Sequence, residues 1–230
     1  MTATGGVAES TGWDEAAARA WIEGGTNENE YRFPWQLAIA VAAEEAPAGE
    51  FVILDAASGP GGFLAAALEL LPAAKGIWYD NFETMEATAR DNLAGFGDRV
   101  DYRVGDLIEI EKHCERESVS LVTCSRATHH LDDEGLARFY EQALRVLAPG
   151  GWVANLDSMT LPGTWGARLS AARRRLNGAA ELRERDPNHP KGHPHSAEDH
   201  IGLASSAGFG DVAAIWRHYQ HAVLMARKPA

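Results

Sequence analysis

Three acids, Asp55, Asp80 and Asp106, fall at the ends of successive strands, on the sheet edge where α/β proteins bind ligands. Each follows a short apolar run: Phe51-Val-Ile-Leu54, Gly76-Ile-Trp-Tyr79, and Val100-Asp-Tyr-Arg-Val104 with Gly105 between. After Asp55 comes a turn with Gly59, Gly61 and Gly62, and a helical run opens at Phe63. Glycines let the backbone approach a ligand closely, and a helix start presents unpaired N–H groups. A dinucleotide fingerprint would need a third glycine where Leu64 stands, and no Gly-Lys-Ser/Thr ending marks a phosphate loop. The chemistry is therefore that of a nucleoside-type cofactor at the carboxyl edge of an open α/β sheet. A fourth run, Ser118 to Cys124, leads into Ser125-Arg-Ala-Thr-His-His130. Histidine as a residue type suits proton transfer at neutral pH, so His129 and His130 are the candidate proton acceptors or acceptor contacts.

The run Asp55-x-x-x-Gly59-x-Gly61 resembles the first motif of the class I S-adenosylmethionine (SAM) dependent methyltransferases, with Ala57 at the family's first glycine. Leu147-Ala-Pro-Gly-Gly151 is similar to that family's turn before the fifth strand, and Ala207-Gly-Phe209 to its turn into the last two strands. The resemblance covers about residues 50 to 157 and 196 to 228. It implies SAM as cofactor, with Asp80 on the ribose hydroxyls and Asp106 on the adenine amino group, Leu107 packing on the ring. It also places Asp55, Ala57, Gly59, Gly61, Asn81, Phe82 and Ser125 beside the cofactor, and Arg32 on its carboxylate.

The elements that must position these residues follow from periodicity. Helices are expected over 13–23 and 35–46, before the first sheet strand, with a polar then aromatic loop from Gly24 to Trp35 between them. The resemblance makes residues 13–48 a helical lid, with Tyr31 and Trp35 against the substrate. Residues 83–96 and 133–148 read as helices, the second strongly amphipathic through Leu136, Phe139, Tyr140, Ala143 and Leu147. The family's fold is a seven-stranded, mostly parallel Rossmann-like sheet with helices on both faces. Its last strand, about Gln220 to Arg227, should run antiparallel beside Asp211 to Arg217. The segment 158–195 is the least regular and is expected to build the acceptor pocket, through Met159, Trp165, His193 and His195, with Arg126 from the fourth strand end. His189, His193, His195 and His200 near Asp199 invite a metal reading. The prolines make this a stiff loop, and the fourth strand ends in Cys124, Ser125 and Arg126 rather than acids, so no metal is expected.

Composition bounds the rest. The 230 residues suit one domain, 13–230, after a flexible start at 1–12 that lacks signal-peptide character. No apolar run nears the roughly 20 residues of a membrane helix, so no membrane partner is expected. Two cysteines, Cys114 and Cys124, make no disulfide framework and fit a cytoplasmic setting. A net charge of −12 opposes binding to phosphate backbones, so nucleic acid is not the expected partner. The expected function is methyl transfer to a small organic acceptor, oxygen slightly favoured, in specialised metabolism. Two alternatives stay open: non-methylating SAM chemistry (cyclisation, decarboxylation or aminocarboxypropyl transfer) and a non-catalytic SAM-binding partner. A homodimer is also left open.

Overall fold

The computed structural model describes residues 14–24, 28–45, 49–177, 192–193 and 195–230. Two helices, α1 (Glu15–Gly24) and α2 (Glu28–Glu44), precede strand β1 (Val52–Ala56). The chain then alternates through α3 (Gly62–Leu70), β2 (Lys75–Asp80), α4 (Glu83–Asn92), β3 (Val100–Val104) and β4 (Val119–Ser125). It continues with α5 (Asp133–Val146), β5 (Leu147–Ser158), α6 (Trp165–Asn177), α7 (Ala197–Ala207), β6 (Gly210–His218) and β7 (His221–Arg227). Residues 1–12, for which a flexible start is expected, lie outside the described residues, as does His189.

The seven strands form one sheet in the order β3-β2-β1-β4-β5-β7-β6. The first five pair in parallel, and β7 runs antiparallel between β5 and β6. Alternating side chains feed two cores. Ile53, Trp78 and Leu121 pack with α2 and α3 residues on one face. Leu54, Ile77, Tyr79 and Val122 pack with Phe139 and Tyr140 of α5 on the other. Burial on both faces explains why these strands read as continuous apolar runs.

Two expectations on elements need correction. The loop expected from Gly24 to Trp35 is largely helix, because α2 starts at Glu28 and contains Pro34. Tyr31, Trp35, Ala38 and Ala42 are all buried, so the apolar stripe of α2 extends back past Pro34 and packing outweighs the missing N–H. Strand β5 starts at Leu147 rather than Trp152, since Leu147 pairs with Val119 before the register shifts. The caps agree with the residues present. Asp132 Oδ1 accepts from Gly135 N at the start of α5, and Ser196 and Asp199 form a reciprocal capping box on α7.

Candidate functional site

The carboxyl ends of β1 to β4 open into one cavity. Its floor is the turn after β1. Gly59 is gripped from β2 on both sides: its N–H donates to Asp80 Oδ2 at 2.8 Å, and its carbonyl accepts from Trp78 Nε1 at 2.8 Å. Gly59 and Gly61 have left-handed backbones, with φ of +53° and +89°. A Cβ on Gly61 would lie 2.8 Å from Leu93 Cδ1, so packing as well as conformation requires glycine there. Ala57 also has φ +54°, an uncommon state for a residue with a Cβ.

Three acids line this cavity. Asp80 Oδ1 accepts from the N–H groups of Asn81 and Phe82, so the carboxylate organises two backbone segments and still faces the cavity. Burial lifts its pKa to about 6, against the hydrogen bonds that favour the ionised form. Asp55 lies inside β1 rather than after it, accepting from Ser58 Oγ and Thr123 Oγ1, and burial lifts it likewise to about 6. Asp106 is set by Tyr79, whose hydroxyl donates to the Asp106 carbonyl at 2.7 Å. Leu107, Met85 and Asn81 add an adjoining wall. Hydroxyl-accepting acids, an apolar patch and a glycine turn in one cradle fit an adenosyl group.

Aromatic residues close the opposite side. Trp21, Tyr31 and Trp35 from α1 and α2 line the cavity. Trp35 stacks on Phe63 at 5.2 Å between ring centroids, and its Nε1 donates to Ser125 Oγ. Arg126 enters from the end of β4 and lies over Trp21 and Tyr31.

The two histidines have separate places. His130 lines the cavity, whereas His129 does not; its ring packs against that of His130 at 4.1 Å and is 18% exposed. His129 Nδ1 meets Asp157 Oδ1 at 2.7 Å. Asp157 is fully buried, and its Oδ2 accepts from Thr128 Oγ1 and from the His129 N–H. Burial alone would raise the Asp157 pKa, but the His129 ring, Thr128 and the Ser158 N–H together hold it well below the carboxylate range. An ionised Asp157 accepts from Nδ1–H, which directs Nε2 of the same ring away from this contact.

Several expected site residues stand elsewhere. Arg32 points outward from α2 and pairs with Glu69 at 2.5 Å, so it is not positioned on a cofactor carboxylate. Trp165 is 52% exposed and Met159 is buried in the β5 core, and neither lines the cavity. His195 is buried against Asp133, at 3.0 Å from Nε2. The exposed His193 donates its backbone N–H to the His129 carbonyl, beside a Gly192 whose Cβ would overlap that carbonyl. Phe82 is buried in the core and holds Asp80 through its N–H rather than lining the cavity. Among the described residues, no three His, Cys, Asp or Glu side chains gather as a metal site. Sequence reasoning overlooked Asp157 and Trp21. Asp157 carried the signal already used for Asp55, an acid at the carboxyl end of a parallel strand.

Residues 53–151 match the family model described as a methyltransferase domain. That stretch, from β1 to the start of β5, is therefore similar to a methyltransferase domain. Over 100 residues it is 39% identical to ribosomal RNA small subunit methyltransferase H of Sorangium cellulosum (strain So ce56), covering 41% of this chain and 31% of that one. An O-methyltransferase family protein from Burkholderia thailandensis superposes with a TM-score of 0.66 at 19% identity, over 98% of this chain and 63% of its own. The CurJ carbon methyltransferase superposes with a TM-score of 0.69 at 17% identity, over 97% and 63%. The structural likenesses show the fold. The chain spans less than two thirds of the length of each of these proteins.

Proposed function

We propose that this protein is a methyltransferase that transfers the methyl group of SAM to a hydroxyl of a small organic acceptor. The observation that carries this reading is the His129–Asp157 pair behind the cavity wall at His130. A hydroxyl acceptor must lose a proton, and a tautomer-fixed imidazole is suited to take it. When bound, the cofactor supplies an electrophilic methyl on a sulfonium. Asp80 would hold its ribose hydroxyls, Asp106 and Leu107 its adenine, and the Gly59 turn its close approach to the backbone. Trp21, Tyr31 and Trp35 exclude water and press a flat acceptor into line, where positioning supplies much of the rate. His129, which packs behind His130 rather than on the cavity wall, would take the acceptor proton at Nε2 from beside the His130 ring, and the Asp157 carboxylate would balance the imidazolium charge. His130 contacts the acceptor from the wall.

The test compares His129→Ala, Asp157→Asn and His130→Ala. Turnover in His129→Ala should fall by about 10²–10⁴-fold while S-adenosylhomocysteine binding is kept. Wild-type turnover in His129→Ala and Asp157→Asn would reject a base at this position. S-adenosylhomocysteine as the product separates methyl transfer from cyclisation or aminocarboxypropyl transfer.

A further inference from the structure

The acids of the cavity stand at the ends of β3, β2 and β1, and Arg126 stands just beyond β4, so the cavity is polarised along the sheet edge. Among the described residues lining it, Arg126 is the only Lys or Arg. Its backbone is left-handed (φ +61°), a strained state for a side chain of this size. The Arg126 N–H donates to the Leu156 carbonyl at 2.8 Å, which ties that strained residue to β5. The guanidinium carbon lies 4.2 Å from the Trp21 ring and 5.1 Å from the Tyr31 ring. Stacking uses the faces of a guanidinium and leaves the N–H donors of its edges. Among the described residues, no carboxylate pairs with Arg126 and no acceptor meets its side chain.

The titratable rings beside it carry no negative charge. His221, edge-on to Tyr31, is held down to about pH 4, by burial first and by Arg126 next, and so stays uncharged. Burial also raises the Tyr31 pKa, which keeps its hydroxyl protonated. Glu30 lies 3.9 Å from Arg173, itself over the Tyr219 ring, and 3.9 Å from His218. A partly buried guanidinium without a counter-ion among the described residues, bordered by flat aromatic rings, is matched by a flat anion with two oxygens side by side. We propose that the acceptor is an aromatic acid whose carboxylate is bound by the edge of Arg126. This rests on the methyl-transfer reading of the same cavity. The methionine carboxylate of the cofactor has the same chemistry, so the test must separate the two sources.

Wild-type protein is first titrated with S-adenosylhomocysteine. The saturated protein is then titrated with salicylate, 4-hydroxybenzoate and indole-3-carboxylate, each against its neutral carboxamide. At least one acid should bind about tenfold or more tightly than its amide. Arg126→Met should remove that preference and leave S-adenosylhomocysteine affinity unchanged. Equal binding of acids and amides, or no binding of any acid, overturns the proposal. So does a matching loss of S-adenosylhomocysteine affinity in Arg126→Met, which would assign the guanidinium to the cofactor carboxylate. The wild-type comparison stands even if the variant fails to fold. Failure of wild type to bind S-adenosylhomocysteine would instead defeat the methyl-transfer reading beneath the proposal.

Discussion

Asp80 has two duties, and they make its titration visible. It clamps the Gly59 turn and the start of α4 through three backbone N–H groups, and it lines the cavity proposed to take the nucleoside. Ribose hydroxyls donate to the ionised carboxylate, so binding favours the deprotonated form. Burial sets the unliganded pKa at about 6. Affinity for S-adenosylhomocysteine should therefore be full above that pH and fall as pH drops through it, measured by calorimetry from pH 5 to 8. A flat profile would separate Asp80 from the ligand. Behind His129 the donors run in one direction: Asn155 Nδ2 to Thr128 Oγ1, and Thr128 Oγ1 to Asp157 Oδ2. Nearby, the Tyr140 hydroxyl meets His200 Nδ1 at 2.8 Å; His200 is held to about pH 4 by burial and so accepts. Removing one donor from a buried carboxylate should misorient the pair it serves. Thr128→Val should lower turnover about tenfold without changing S-adenosylhomocysteine affinity, and Thr128→Ser should restore it. Equal rates in the Val and Ser variants would make Thr128 a packing residue only. The places of Asp55, Asp80, Asp106 and His130 along the cavity could be anticipated because each ends or follows a parallel strand, whereas His129 lies behind the wall. Arg32 was misplaced because the helical phase was not legible. Once residue 31 is helical, Tyr31 and Trp35 turn inward and Arg32 and Phe33 outward.

At the scale of elements, short buried strands were readable because burial on both faces leaves a continuous apolar run bounded by turns. The start of α2 was not, since Pro34 and the polar residues before it resemble a loop, and only the pocket-facing side of Tyr31 and Trp35 decides otherwise. The His129–Asp157 pair depends on the β4–β5 register, Ser125 opposite Leu156, which no local pattern encodes. The turn that begins α3 is held by Gly61, left-handed and tight against Leu93. Gly61→Ala should destabilise the fold by about 1–3 kcal/mol, read as a lower denaturant midpoint with unchanged slope. Unchanged stability would mean that Leu93 yields without cost.

For the whole molecule, the sheet order places the ends of β1 and β4 side by side at the centre, with the acids toward β3 and the histidines toward β5. That order could be anticipated only through resemblance, because residue patterns give strands but not their neighbours. It puts acids at one end of the cavity and Arg126 and His130 at the other, and the proposed transfer would seat the nucleoside at the first and the acceptor at the second. The most direct test is thermal unfolding of the wild type and of Asp80→Ala with S-adenosylhomocysteine or NADH. At about 100 times its dissociation constant, S-adenosylhomocysteine should add roughly 2.7 kcal/mol to the wild type. NADH should add nothing, and Asp80→Ala should weaken the adenosyl ligand by on the order of 1–3 kcal/mol. Stabilisation by NADH, or none by S-adenosylhomocysteine, would contradict the assignment of this cavity.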